Sequence, residues 1–146
     1  MYKHILVPTD GSELSLKAAK AAARLAKTLE AKMTAVYVIP DYMPQFASED
    51  VVLYNEDLSP ELYRKATEKS AREALTKVEK AAGVKIQKIF VNNDQPWRGI
   101  IDTAKAKKCD LIVMASHGRK GISALVIGSE TNKVLTHSRT PVLVCR

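Results

Sequence analysis

The chain has 146 residues, 46% hydrophobic and 27% charged, the size and composition of a single soluble domain able to bury a substantial core. No apolar run reaches the ~18 residues of a membrane-spanning helix, and the opening MYKHILVPTDG offers too short an apolar stretch for a signal peptide, so a cytoplasmic protein is expected. The formal net charge is +7, and its excess lies late: residues 1–82 carry twelve Lys/Arg against twelve Asp/Glu, residues 83–146 eleven against four.

Residues 2–9, YKHILVPT, form an apolar strand ending in Pro8-Thr9-Asp10-Gly11-Ser12, which is dense in turn and N-cap residues. Residues 13–30 are alanine-rich, with apolar positions at Leu14, Ala18, Ala21/Ala22, Leu25 and Leu29, the spacing of an amphipathic helix. Residues 32–40, KMTAVYVIP, read as a second strand. A strand, helix and strand within about 40 residues point to a parallel pair with a right-handed crossover. The connection 41–59 has no sustained period. Between Asp41 and Glu61 there are six acids and no Lys or Arg, and this acidic segment is expected to form a mobile flap near the basic site. Ser59 and Pro60 then open a helix that runs to Gly83, a residue suited to the left-handed position after a helix. A strand over 84–92, a helix over 94–109 with Pro96 near its start, a continuous apolar strand over 110–116, a helix over 128–139 and a strand over 140–146 complete the chain.

Five strands in strict alternation with four helices predict an α/β fold: a single doubly wound domain, residues 1–146, around one parallel sheet. Runs such as LIVMA and VLVC suit strands covered on both faces. Cys109 and Cys145 lie near opposite ends of their strands, roughly 13 Å apart at ~3.3 Å per residue, so two reduced, half-buried thiols are expected.

In open parallel sheets ligands bind outside the carboxyl ends of the strands, where strand order reverses. Here the first strand ends in Pro8-Thr9-Asp10, the second in Val38-Ile39-Pro40 and the fourth in Ala115-Ser116-His117-Gly118. If the first and fourth strands are neighbours, the stretch SHGRKGISALVIGSETNK lies over the crevice beside Asp10. Its glycines do not have the G-x-x-x-x-G-K-[ST] spacing of a P-loop. Ser116-His117-Gly118, nine residues, then Gly128-Ser129 resembles the nucleotide-binding signature of the universal stress protein family, commonly written G-x2-G-x9-G-[ST]. The openings ILVPTDGS and VYVI and the closing TPVLVC are similar too, so the resemblance spans the whole chain.

The resemblance implies the flavodoxin-like strand order 3-2-1-4-5 of the adenine nucleotide α-hydrolase-like proteins. In the ATP-binding branch it also implies a bound adenine nucleotide (ATP, ADP or AMP) with Mg²⁺. The chain departs from the signature at its first glycine, where Ala115 stands; Gly121 is not a signature position. The site residues so implied include Pro8 and Thr9, which shape the adenine pocket, and Val38, whose backbone meets the adenine edge. Asp10 is placed at the ribose or a phosphate-bound Mg²⁺; read alone, it equally suits an N-cap or Asx turn. Met114, Ala115, Ser116, His117 and Gly118 line the crevice. Arg119 and Lys120 could neutralise phosphate or simply be solvated.

Gly128 and Ser129 open a helix whose first N–H groups, those of Ser129, Glu130 and Thr131, can face an anion; Ser129 alone suits an N-cap. No catalytic residue is assigned: His4, His117 and His137 lack metal-ligand spacing, no G-x-S-x-G elbow is present, and no base is evident for a γ-phosphate water. Trp97 is expected to anchor the third helix. The expected protein is a nucleotide-responsive homodimer that pairs through its last strand, 140–146, an exposed edge. The alternative is a nucleotide-free interaction protein of the same fold. Neither a membrane nor a nucleic acid is expected as a partner, since no basic helix or aromatic platform is evident.

Overall fold

β1 (His4–Pro8) lies at the centre of the sheet, and its side chains alternate between two cores. Ile5 and Val7 pack with α1 (Glu13–Leu29) and α2 (Pro60–Ala82), whereas Leu6 packs on the opposite face with α3 (Pro96–Ala106) and α4 (Ser129–His137). Period-two alternation with apolar residues at every position is what a strand covered on both faces requires. The computed structural model describes residues 1–41, 59–118 and 127–146. The flap expected over Asp41–Glu61 therefore lies mostly outside the described residues, and Arg119, Lys120 and Gly121 lie outside them too.

The remaining strands are β2 (Lys32–Ile39), β3 (Gln87–Asn92), β4 (Leu111–Ala115) and β5 (Val142–Cys145). All pairings are parallel and the order is β3-β2-β1-β4-β5, as the resemblance implies. Order reverses between β1 and β4, with Ile5 opposite Leu111 and Leu6 opposite Ile112. Continuing that register brings Asp10 level with Ser116. No helix among the described residues is long and apolar enough to cross a membrane.

Local chemistry sets the ends of the elements. Ser12 caps α1 by accepting from Ser15 N at 3.3 Å, and Ser59 caps α2 by accepting from Leu62 N at 3.2 Å, with Pro60 in the first turn. Gly83 closes α2 at φ +68°, the conformation expected of it. Glu30 closes α1 at φ 53° and Lys108 follows α3 at φ 55°, so both helices stop short of the ends read from the sequence. β3 likewise starts at Gln87, because Val84 is exposed and Val84–Ile86 serve as the connection out of α2. Cys109 sits two residues before β4, buried beside Ile112 and Val134, where burial and the neighbouring Asp110 charge push its thiol up to about 11. Both cysteines are free.

Candidate functional site: a glycine-walled crevice at the switch point

The loops that leave β1 and β4 meet at the carboxyl edge of the sheet. Thr9 is buried there; its hydroxyl accepts from Gly11 N at 3.1 Å and lies 2.9 Å from Ser15 Oγ. These bonds hold a tight turn with Gly11 at φ +80°. The Asp10 carboxylate accepts from Ser12 N through Oδ1 at 3.0 Å, an Asx turn, while the cap itself is Ser12. Its other oxygen, Oδ2, faces Gly118: a Cβ built on Gly118 would stand 2.5 Å from it. Two residues 108 apart in sequence therefore pack directly against each other at the carboxyl edge of the sheet.

Gly128 works in the same way against the other side of the loop. Its N–H donates to Ser116 O at 2.7 Å, and a Cβ there would come within 3.1 Å of His117 Cα. Neither Gly118 nor Gly128 has a positive φ, so both are needed for close approach and not for a left-handed backbone. Gly128 is also the N-cap of α4 and brings no capping side chain, which corrects the reading of Ser129 as a cap. Ser129 is the first helical residue. The first intrahelical bond of α4 runs from Asn132 N to Gly128 O at 2.9 Å, so the N–H groups of Ser129, Glu130 and Thr131 precede the ladder at the mouth of the crevice.

Side-chain bonds hold α4 in place. Thr131 is buried and donates through Oγ1 to Ala115 O at 3.0 Å, and Glu130 accepts from Trp97 N at 2.9 Å, placing a carboxylate on the N-terminus of α3. Trp97 stacks on His137 with ring centroids 4.8 Å apart, so it ties α3 to α4 as expected. Ser116 N donates to Cys145 O at 2.8 Å, and Ser116 Oγ lies 3.1 Å from His117 Nδ1. Pro8 ends β1 and Met114 is the last but one residue of β4, and both are buried. Ala115 is the last residue of β4, paired with Cys145 in extended backbone, so an alanine there is unstrained.

Val38 lies in β2 opposite Val91 of β3. Val36 O accepts from Thr9 N at 2.9 Å on the β1 side, and successive peptide groups alternate sides, so the N–H and C=O of Val38 point past the end of β1 into the crevice. The sequence reading passed over Gly99. A Cβ on it would stand 2.8 Å from Val38 Cγ1, so its absence lets α3 close on β2 beneath this backbone. The available signal was a glycine inside a helix, which costs about 1 kcal/mol relative to alanine and implies a packing reason.

The N–H groups at the start of α4 suit a phosphorylated ligand, and the two glycines let the loops leaving β1 and β4 and the start of α4 pack closely beside them. Among the described residues no three His, Cys, Asp or Glu side chains cluster as metal ligands. A Mg²⁺ ion here would thus come with the phosphates, with Asp10 as the carboxylate at hand.

The sequence matches the universal stress protein family over residues 1–146. Universal stress protein MJ0531 of Methanocaldococcus jannaschii is 38% identical over 149 residues, covering 100% of this chain and 83% of its own. The solved structure of MJ0577, a universal stress protein of the same archaeon, is 32% identical with a TM-score of 0.77, covering 99% of this chain and 96% of that one. A universal stress protein from Archaeoglobus fulgidus, solved in complex with dAMP, has a TM-score of 0.65 at 19% identity, covers 99% and 98% of the two chains, and attests the shared fold. Sheet order, the crevice between β1 and β4, and the whole-length match agree: the chain belongs to the universal stress protein family.

Proposed function

We propose that this protein binds an adenine nucleotide, ATP with Mg²⁺, in the crevice between β1 and β4, and acts in the cytoplasm as a nucleotide-responsive, homodimeric stress-response regulator. The observation that carries the reading is the close, side-chain-free packing of Gly118 on the Asp10 carboxylate and of Gly128 on the His117 backbone, beside the open N-terminus of α4. Thr9, Pro8 and the Val38 backbone would bound the base. Asp10 would meet the ribose or the metal, and the first N–H groups of α4 would meet the phosphates. Mg²⁺ supplies charge neutralisation of the phosphates. Hydrolysis is expected to be slow. The complex of the Archaeoglobus fulgidus relative with dAMP is in keeping with an adenine ligand on this fold.

The test is to analyse denatured, purified protein for released nucleotide and to titrate the stripped protein with MgATP by calorimetry. Saturable binding is expected, together with a loss of at least about tenfold in Gly118→Val, whose side chain would meet Asp10, at little change in thermal midpoint. Stripped protein that gives neither heat nor a thermal shift with MgATP would replace this reading with the nucleotide-free interaction protein.

A further inference from the structure

The amino ends of the strands, opposite the glycine crevice, hold a concavity of about 700 Å³, within the range of small-molecule sites. Its wall carries Lys27 at the end of α1, Lys32 opening β2, Lys85 before β3 and Lys107 after α3, against one acid, Glu30. None of these four lysines enters an ion pair among the described residues.

Between them lies an ordered chain of hydrogen bonds. Thr34, 1% exposed, donates its hydroxyl hydrogen to Gln87 Oε1 at 3.2 Å. That hydroxyl has no second hydrogen, so across the 2.8 Å contact it accepts from His4 Nε2. The carbonyl of Gln87 and the oxygen of Thr34 are both engaged as acceptors, which leaves the wall with the Gln87 amide N–H donors and four ammonium groups against the single Glu30 carboxylate. A wall rich in donors and poor in acceptors complements a ligand made of oxygen acceptors with several negative charges.

We propose that this cavity binds a small polyanion of the phosphate class, at a site separate from the glycine crevice. The competing account is that the lysines offset the negative ends of the helices that finish here. It covers Lys27 and Lys107, which lie at the ends of α1 and α3. It does not cover Lys32, which opens a strand, or the Gln87 amide.

Titrating the full-length protein with inorganic tripolyphosphate, followed by calorimetry and by amide NMR, tests the proposal. Saturable shifts are expected at the Gln87 side-chain amide and around Thr34 and Lys85. Lys85→Glu with Lys107→Glu should weaken binding by about tenfold or more, and Lys85→Gln with Lys107→Gln by less, whereas reversing Lys69 and Lys77 on the exposed face of α2 should change it less than about twofold. MgATP affinity should be unaltered in all three. If the glutamate pair does not fold, the glutamine pair decides. Equal weakening by the α2 control, shifts confined to the glycine crevice, or no saturation would each overturn the proposal.

Discussion

A methyl group separates glycine from alanine, and three positions around the crevice would receive one differently. At Gly118 it would enter the space of the Asp10 carboxylate, and at Gly128 it would press on the backbone of His117. At Ala115 a methyl is already present, on an extended residue paired with Cys145 and 8% exposed. Restoring the family's glycine with Ala115→Gly is therefore expected to leave MgATP affinity within about twofold and to lower stability by about 1 kcal/mol, through added backbone freedom and the lost methyl. Calorimetric titration and thermal melts of the two proteins read both effects. The signature glycines were legible in the sequence by spacing, but their physical reason was not. The resemblance places Gly118 in the crevice, but nothing near it in sequence shows that Asp10, 108 positions away, packs against it.

At the scale of elements, α4 acts as a clamp on the loop leaving β4. The buried bond from Thr131 Oγ1 to Ala115 O is its innermost contact. Thr131→Val keeps the shape and leaves that carbonyl unpaired, which should cost about 1–3 kcal/mol, read in denaturant melts, and should weaken MgATP binding as the helix end loosens.

A second tether joins β1 to the start of β4 at the opposite edge. Asp110 accepts from Lys3 N at 2.8 Å and His4 N at 2.9 Å. Burial pushes its carboxyl up, but the N–H bonds from His4 and Lys3, its own N–H and the His4 imidazole outweigh that and hold it below the ordinary 3.8. A group depressed in the folded state favours folding above its unfolded pKa. That contribution disappears as pH falls through the folded value. Native protein should thus melt higher than Asp110→Asn at pH 6, and the gap should narrow below about pH 4.

These tethers were not legible beforehand. Glu130 to Trp97 and Asp110 to the β1 amides join residues far apart in sequence, and a carboxylate in a polar stretch carries no mark of its partner. The elements themselves were legible, because the Ala-rich spacing of α1 and the unbroken apolar run of β4 fit one periodicity each. Their ends were less so: Glu30 and Lys108 adopt left-handed backbone that their residue types do not announce.

For the whole molecule, β5 is an edge strand, and Leu143 on it is 44% exposed. An apolar edge strand invites a second copy. Leu143→Lys is expected to halve the mass seen by light scattering while leaving the thermal midpoint within a few degrees, since the side chain adds little to the core of one chain. An unchanged mass would remove β5 from the assembly. Sheet order was legible only through the family resemblance, since strict alternation of strands and helices predicts a parallel α/β sheet without fixing which strands are neighbours. The cavity at the amino edge was not, since its four lysines come from four separate elements.

The bond from Ser116 N to Cys145 O joins the crevice loop directly to that outer strand. Whatever steadies β5 also steadies the backbone on which Gly118 and Gly128 converge. Ligand affinity and self-association would then be thermodynamically linked, each strengthening the other by the same factor, and nucleotide would bind more tightly as the protein becomes more concentrated.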